Sequence, residues 1–238
     1  PIEELPRIVT RICGVCPASH HLAAAQAVDG CFDNECPPLA HKLREMYYQA
    51  HYIHSHIAHF YALAAPDFVC GPDADPAERN ILGVVAKVGL EIGGRVIRSR
   101  AMAQEIQQII GGRFTHLVWC LPGGVSKGLK PEELEQIKPM ADELYDFALF
   151  SVQLFRDVIL GNPGYVDLIL HGPYTLEVHN MGLVDANNAP NFYRGTVRVV
   201  DFEGQEICRY SPPEYHQFVA EHVEPWTYLK FPYLKQRG

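Results

Sequence analysis

The chain has 238 residues, 47% of them hydrophobic and 20% charged, with 20 Lys+Arg against 28 Asp+Glu for a formal net charge of −8. That length allows one large domain or two small ones, and the balance excludes disorder, collagen-like repeats and low complexity. No global positive field exists to draw in a phosphate backbone, so nucleic acid is not an expected partner. The longest apolar stretches, such as Ile81 to Leu90, are broken by Gly and Lys and fall short of the roughly 18 residues that span a bilayer, so no transmembrane segment is expected. Seven cysteines are an odd number, and no secretory signal precedes them, which points to a reducing, cytoplasmic setting rather than a disulfide framework. Residue 1 is Pro rather than Met, and the tail from Leu234 to Gly238 carries no terminating element. Both marks lead us to expect a fragment of a longer protein.

Taken in chain order, the first predicted helix runs from Pro17 to about Gly30, with Pro at the first helical position and Cys16 as its N-cap. A second runs from Pro38 to Ala64, because Leu39, Leu43, Met46, Ala50, Ile53, Ile57 and Tyr61 recur at three- and four-residue spacing before Pro66 stops it. Asp75-Pro76-Ala77-Glu78 reads as the start of a third, long helix. Its apolar face passes through Ile81, Val85, Val88, Ile92, Val96, Ala103, Ile106 and Ile110 to a Gly111-Gly112 stop, with a bend expected at Gly93-Gly94. A fourth begins near Pro131, turns Leu134, Ile137, Ala141, Leu144, Ala148, Phe155 and Ile159 inward, and ends at Gly161 to Gly164. Beyond residue 164 the pattern changes. Thr196 to Val200 and Gln205 to Tyr210 flank Asp201-Phe-Glu-Gly204 as a β-hairpin, and Leu176 to His179 adds a candidate strand. The expected architecture is a mainly α, single partial domain: helical over 1–164, a β-containing excursion over 165–215 and a return segment over 216–238.

The most informative segment is Arg11-Ile-Cys-Gly-Val-Cys-Pro-Ala-Ser-His20. A Cys-x-x-Cys pair brings two sulfurs close enough to share a metal centre, and soft thiolates select zinc, iron-sulfur, copper(I) or nickel over hard cations. Cys16 lies at a predicted helix N-terminus, where the dipole and free amides favour a thiolate, and Arg11 adds to that field. His20, one helical turn beyond Cys16, is placed to hydrogen-bond its sulfur, and Gly14 permits close backbone approach. Three other readings compete: a dithiol redox motif, a structural zinc site completed by Cys31 and Cys36, and two buried structural cysteines. The first lacks a βαβ context. The second meets a helix of some 14 residues, roughly 20 Å, between its two cysteine pairs.

The pattern Arg-x-Cys-Gly-x-Cys-x-x-x-His, standing here as Arg11, Cys13, Gly14, Cys16 and His20, resembles the N-terminal metal-binding motif of nickel-iron hydrogenase large subunits. The resemblance continues through His21-Leu-Ala-Ala and Asp29, Ser55-His56, His59-Phe-Tyr61 with Pro66-Asp67, Gly111 to His116 with Pro122 to Val125, the hairpin, and Trp226 to Tyr233. Within the family it looks most like the cytoplasmic enzymes that reduce soluble carriers, including the NAD-linked bidirectional type. It implies the helical bundle of such subunits and reversible oxidation of dihydrogen. It also implies Cys13 as a terminal nickel ligand, Cys16 as a bridge between nickel and iron, His20 as a hydrogen-bond partner of the bridging sulfur, and Arg11 and Gly14 beside the cofactor. The iron would carry carbonyl and cyanide ligands. A second Cys-x-x-Cys and the acidic magnesium ligand of the family fall outside this sequence, and Tyr233 stands where other branches carry an Arg over the metals. No cysteine pattern for iron-sulfur clusters is left over. The implied partners are therefore an iron-sulfur small subunit, together with a diaphorase-type or other electron-transfer module, with dihydrogen as substrate.

Two other functions stay open: a cysteine-retaining relative of the quinone-site subunit of complex I, and a structural zinc-binding module. His51, His54, His56 and His59 are expected on different helix faces, as packing or hydrogen-bonded residues rather than ligands. His116 is expected near a subunit interface, with a structural role favoured. Pro122-Gly-Gly124 lacks the Lys-Ser/Thr of a phosphate loop and reads as a turn. Cys31, Cys36, Cys70, Cys120 and Cys208 are expected as buried thiols.

Overall fold

The computed structural model describes residues 1–173 and 175–237, which cluster into two compact units, Pro1–His171 and Gly172–Gly238. The first unit is helical. A short turn α1 (Leu5–Ile8) leads through Val9–Arg11 to α2 (Pro17–Cys31) and α3 (Pro38–Ala58), and then to α4 (Ile81–Val88), α5 (Leu90–Gly111), α6 (Pro131–Phe155) and α7 (Pro163–His171). Between α5 and α6, β1 (Cys120–Leu121) and β2 (Gly124–Val125) form a small antiparallel hairpin. The core of this unit lies where α2, α3 and α5 meet: Leu22, Ala25 and Val28 pack with Leu43, Tyr47, Ala50, Ala103, Ile106 and Ile110, all buried. Trp119 is buried in the same core, its ring centroid 5.5 Å from that of Tyr47. Burying an aromatic or large aliphatic side chain of this kind contributes roughly 1.5–3 kcal/mol each.

Prolines at the first helical position start α2, α3 and α6 as expected, and left-handed Gly112 ends α5. Three boundaries differ. Pro66 does not stop the second helix: after α3 the chain widens into π-type turns over His59–Ala64 and Pro66–Cys70, and Gly71 at φ 105° ends it. A Pro is tolerated there because a wider turn no longer needs the usual amide bond one turn back. The Asp75-Pro76 turn forms, with Asp75 Oδ1 accepting from the Ala77 N–H at 2.8 Å, yet α4 starts only after Asn80, whose side chain accepts from Leu82 and Gly83. Gly83 sits on the Glu78 carbonyl so closely that a Cβ would come within 1.7 Å of the oxygen. The break between α4 and α5 is at Gly89 (φ 91°) rather than at Gly93-Gly94; Gly93 instead lies against Val85. In α6, Ile137, Leu144 and Phe147 turn inward while Leu134, Ala141 and Ala148 are exposed, so the buried stripe is narrower than expected.

The second unit is β-rich. β3 (Asn180–Val184), β4 (Thr196–Val200) and β5 (Glu206–Tyr210) form an antiparallel sheet in that order. The β4–β5 turn is the expected one, with Asp201 Oδ1 accepting from the Glu203 and Gln205 N–H groups. The candidate strand at Leu176 to His179 is displaced to Asn180–Val184, where it pairs with β4. A short α8 (Tyr215–Phe218) follows, and the segment expected as a plain return forms a further hairpin, β6 (Val219–Val223) with β7 (Lys230–Leu234). Val199, Tyr210 and Val219 make this unit's own core.

Candidate metal centre

Cys13, Cys16 and His20 come together. Their ligand atoms all lie within 4.8 Å of one another, and all three residues are half-buried. The local chain explains this. Cys16 stands outside the first turn of α2 with extended-to-bridge backbone (φ −116°, ψ 39°), and its carbonyl accepts from the Ser19 and His20 N–H groups at 3.2 and 3.4 Å. His20 therefore lies one helical turn beyond Cys16. The loop Ile12–Val15 folds back so that the Cys16 N–H donates to Cys13 Sγ at 3.2 Å. Bonds from the Cys16 thiol and amide lower the Cys13 thiol below its ordinary value. Burial, followed by the bond to Cys13, pushes Cys16 up to about 11. The thiol of Cys16 thus bonds its neighbour Cys13 and makes no capping bond to the free amides of α2.

Two thiolates on one metal at about 2.3 Å each are at most about 4.6 Å apart, with an imidazole nitrogen at about 2.0–2.1 Å. The two sulfurs lie within 4.8 Å of each other, close to that span, and can share one soft metal, with the His20 imidazole beside them. Cys31 is exposed at the end of α2 and Cys36 donates to Asp29 Oδ2 at 3.5 Å; among the described residues neither joins the cluster, so the spacing gives no support to a four-cysteine zinc site. Arg11 is turned away: its guanidinium donates to the Arg7 carbonyl at 2.8 Å and the Thr10 hydroxyl at 2.7 Å. A Cβ on Gly14 would meet no atom within 4 Å, so close approach there is not demanded by this chain's own packing.

Between α2 and α3, Asp29 and Arg44 form a buried ion pair, Arg44 Nη1 to Asp29 Oδ2 at 2.5 Å. Arg44 also donates to the Leu121 and Gly124 carbonyls at 2.8 Å, and Asp29 Oδ1 accepts from the Gly123 N–H at 2.6 Å. The Pro122-Gly-Gly124 turn is accordingly held as a structural corner on α2 and α3, as a turn reading requires. His116, at φ 50°, reaches the Thr10 carbonyl at 3.2 Å. His51 and His54 are buried on one face of α3 and bond each other, Nδ1 to Nε2 at 3.0 Å, whereas His56 and His59 are exposed. The expected separation onto different faces holds for neither member of that buried pair, since residues three apart on a helix are neighbours. Of the remaining cysteines only Cys36 and Cys120 are buried; Cys31 is exposed and Cys70 and Cys208 are half-buried. Arg44 and His21 carry no local sequence signal: besides partners 15 residues away at Asp29 and Pro6, they bond the 119–124 segment 77 to 99 residues away.

The nickel-dependent hydrogenase family matches residues 2–83, which include the whole thiol and imidazole cluster. Over its full length the chain is 42% identical to an iron-sulfur subunit of the F420-non-reducing hydrogenase of Archaeoglobus profundus, covering 49% of that protein. The chain belongs to the nickel-dependent hydrogenase family. It is also 30% identical to the beta subunit of the NAD-reducing hydrogenase HoxS of Cupriavidus necator, over the whole chain and 50% of that protein. Among solved structures, an NAD+-reducing [NiFe]-hydrogenase in the H2-reduced state superposes with a TM-score of 0.91 at 34% identity, covering all of this chain and 52% of that one. The Ni-Fe-Se hydrogenase of D. vulgaris Hildenborough shares the fold, with a TM-score of 0.70 at 24% identity over 94% of this chain. The mainly helical fold of hydrogenase large subunits is therefore the fold of this chain. The chain spans about half the length of these hydrogenase relatives. No helix among the described residues is long and apolar enough to cross a membrane.

Proposed function

We propose that this chain is part of the catalytic large subunit of a nickel-iron hydrogenase that interconverts dihydrogen with two protons and two electrons. The observation that carries the reading is the convergence of Cys13, Cys16 and His20 within 4.8 Å, in a chain whose family is nickel-dependent. Cys13 would hold nickel, and Cys16, the more enclosed of the two at the head of α2, would supply the thiolate shared between nickel and iron. His20 orients and tunes the bridging sulfur by a hydrogen bond, the usual office of a group just outside the metal's ligands. Gly14 leaves the loop open to the bound group, and Arg11, whose guanidinium is held by the Arg7 carbonyl and the Thr10 hydroxyl, would act only as a nearby positive charge. When bound, a nickel-iron pair with carbonyl and cyanide ligands would supply a soft Lewis-acid centre for heterolytic cleavage of the covalent H–H bond of dihydrogen. The remaining sulfur ligands and the magnesium site come from outside these residues, so the 238 residues alone are expected to show no hydrogen uptake.

Electrons leave to an iron-sulfur small subunit. The relatives' names describe subunits, and among the described residues the Cys13, Cys16 and His20 group stands alone as a cluster of potential ligands. The match to the NAD+-reducing structure supports a diaphorase-type module and a cytoplasmic setting. Elemental analysis and infrared spectroscopy of the full-length protein test the reading. Nickel with iron, and bands for carbonyl and cyanide, are the expected result. Zinc alone would favour the structural module, and no metal the complex I relative.

A further inference from the structure

One buried imidazole is unused by the metal chemistry. His21 follows His20 on α2, has none of its surface exposed, and spends both ring nitrogens on distant backbone. Its Nδ1 bonds the Pro6 carbonyl at 2.8 Å, and its Nε2 accepts from the N–H of Cys120 at 2.9 Å and of Trp119 at 3.3 Å. A neutral ring with its proton on Nδ1 meets all three, since amide N–H groups only donate and carbonyls only accept.

Pro6 lies in the α1 turn, four residues long, which continues through Val9–Arg11 and Ile12 straight into Cys13. A helical segment that short does not hold its own position in water. It must be fixed from outside. The α1 turn and Val9–Arg11 pack against α2 with Pro6 and Thr10 buried, and two side chains bond their backbone, His21 at the Pro6 carbonyl and His116 at the Thr10 carbonyl. Cys16 and His20, in contrast, ride on α2, a helix of 15 residues anchored in the core. The two sulfurs therefore belong to separately supported pieces of chain, and the His21 ring is a direct bond between those pieces.

We infer that His21 is a positioning residue for the thiol pair: by tying the α1 turn to α2 it keeps Cys13 in register with Cys16 before any metal arrives. This rests on the reading of Cys13 and Cys16 as ligands of one centre. An apolar side chain at 21 would fill the same volume and leave the Pro6 carbonyl and the Cys120 N–H without this partner.

The test uses full-length protein prepared without nickel, titrated with Cd2+. The readout is the Cd2+ concentration that half-protects Cys13 and Cys16 from iodoacetamide, mapped by mass spectrometry, alongside the thermal midpoint. His21→Ala removes both links, and about a tenfold rise in the half-protecting concentration is expected, the factor implied by losing one buried hydrogen bond. His21→Asn keeps an N–H where Nδ1–H stood but cannot reach Cys120. It should lose thermal stability much as the Ala variant does, yet protect within about threefold of the parent, a residual that half of a bond's range allows. If His21→Ala cannot be folded, protection in His21→Asn still decides. Parental protection in the Ala variant, or an equal loss in Ala and Asn, would overturn the inference and leave a merely structural histidine. Failure of Cd2+ to protect the two cysteines together in the parent would instead overturn the ligand reading itself.

Discussion

The Cys13–His20 segment and the His51–His54 pair are both short-range clusters of metal-competent side chains on helices, and they have opposite fates. At the first, the donors stay half-buried and face one another across an open loop, and the segment leading into that loop is bonded to the fold by other groups, His21 on the Pro6 carbonyl and His116 on the Thr10 carbonyl. At the second, the imidazoles are buried, bond each other, and have no carboxylate or thiol close enough to form a three-ligand group among the described residues. The difference is one of division of labour. A donor can serve a guest only where the fold does not need that donor for its own hydrogen bonds.

Removing a donor from the first region should have the largest effect. Cys13→Ser or Cys16→Ser in the full-length protein is expected to lower nickel content and hydrogen uptake by more than the roughly 100-fold that loss of an outer partner can cost, as read by elemental analysis and gas consumption. Disturbing the support should instead cost stability. Asp29→Ala strands the fully buried Arg44 charge, and chemical denaturation should show a loss of about 3–5 kcal/mol. His20→Ala, which leaves both sulfurs in place, should lower activity by about 10- to 100-fold with a smaller loss of nickel.

The second region should respond to pH. Burial holds His51 and His54 down at about 4, against roughly 6.5 in an unfolded chain. The folded values lie below the unfolded one, so the stability these neutral rings contribute is complete above pH 6.5 and is lost as the pH falls toward 4. Denaturation midpoints measured between pH 7 and 5 should fall more steeply for the parent than for a His51→Gln/His54→Gln variant. The smallest expected effect is at Tyr61→Phe, which removes the 2.7 Å bond to Ser151 and should cost about 0.5–1.5 kcal/mol.

Much of this was legible in the sequence because its signals are local. Pro17, Pro38 and Pro131 announce helix starts whatever surrounds them, Asp201 and Gly204 set the β4–β5 turn, and the spacing of Cys13, Cys16 and His20 places them within one helical turn and one loop. The misread boundaries have nonlocal causes. Gly83 is glycine because the Glu78 carbonyl presses on it, and Gly89, not Gly93, takes the positive φ that breaks the long helix. The β6–β7 hairpin hid because its strands are mostly exposed and Pro232 interrupts the second. The roles of His21 and Arg44 were invisible for the same reason: a residue that joins α2 or α3 to the 119–124 segment leaves no periodicity behind.

The claim on which the rest depends is that Cys13 and Cys16 hold the same nickel. X-ray absorption at the nickel edge of the intact protein, compared with its Cys13→Ser and Cys16→Ser variants under matched reconstitution, measures this directly. A sulfur-dominated nickel environment is expected in the parent, with loss of sulfur scattering, or of nickel altogether, in each variant; an unchanged nickel spectrum at unchanged occupancy in either one would rule out a nickel shared by the two thiols.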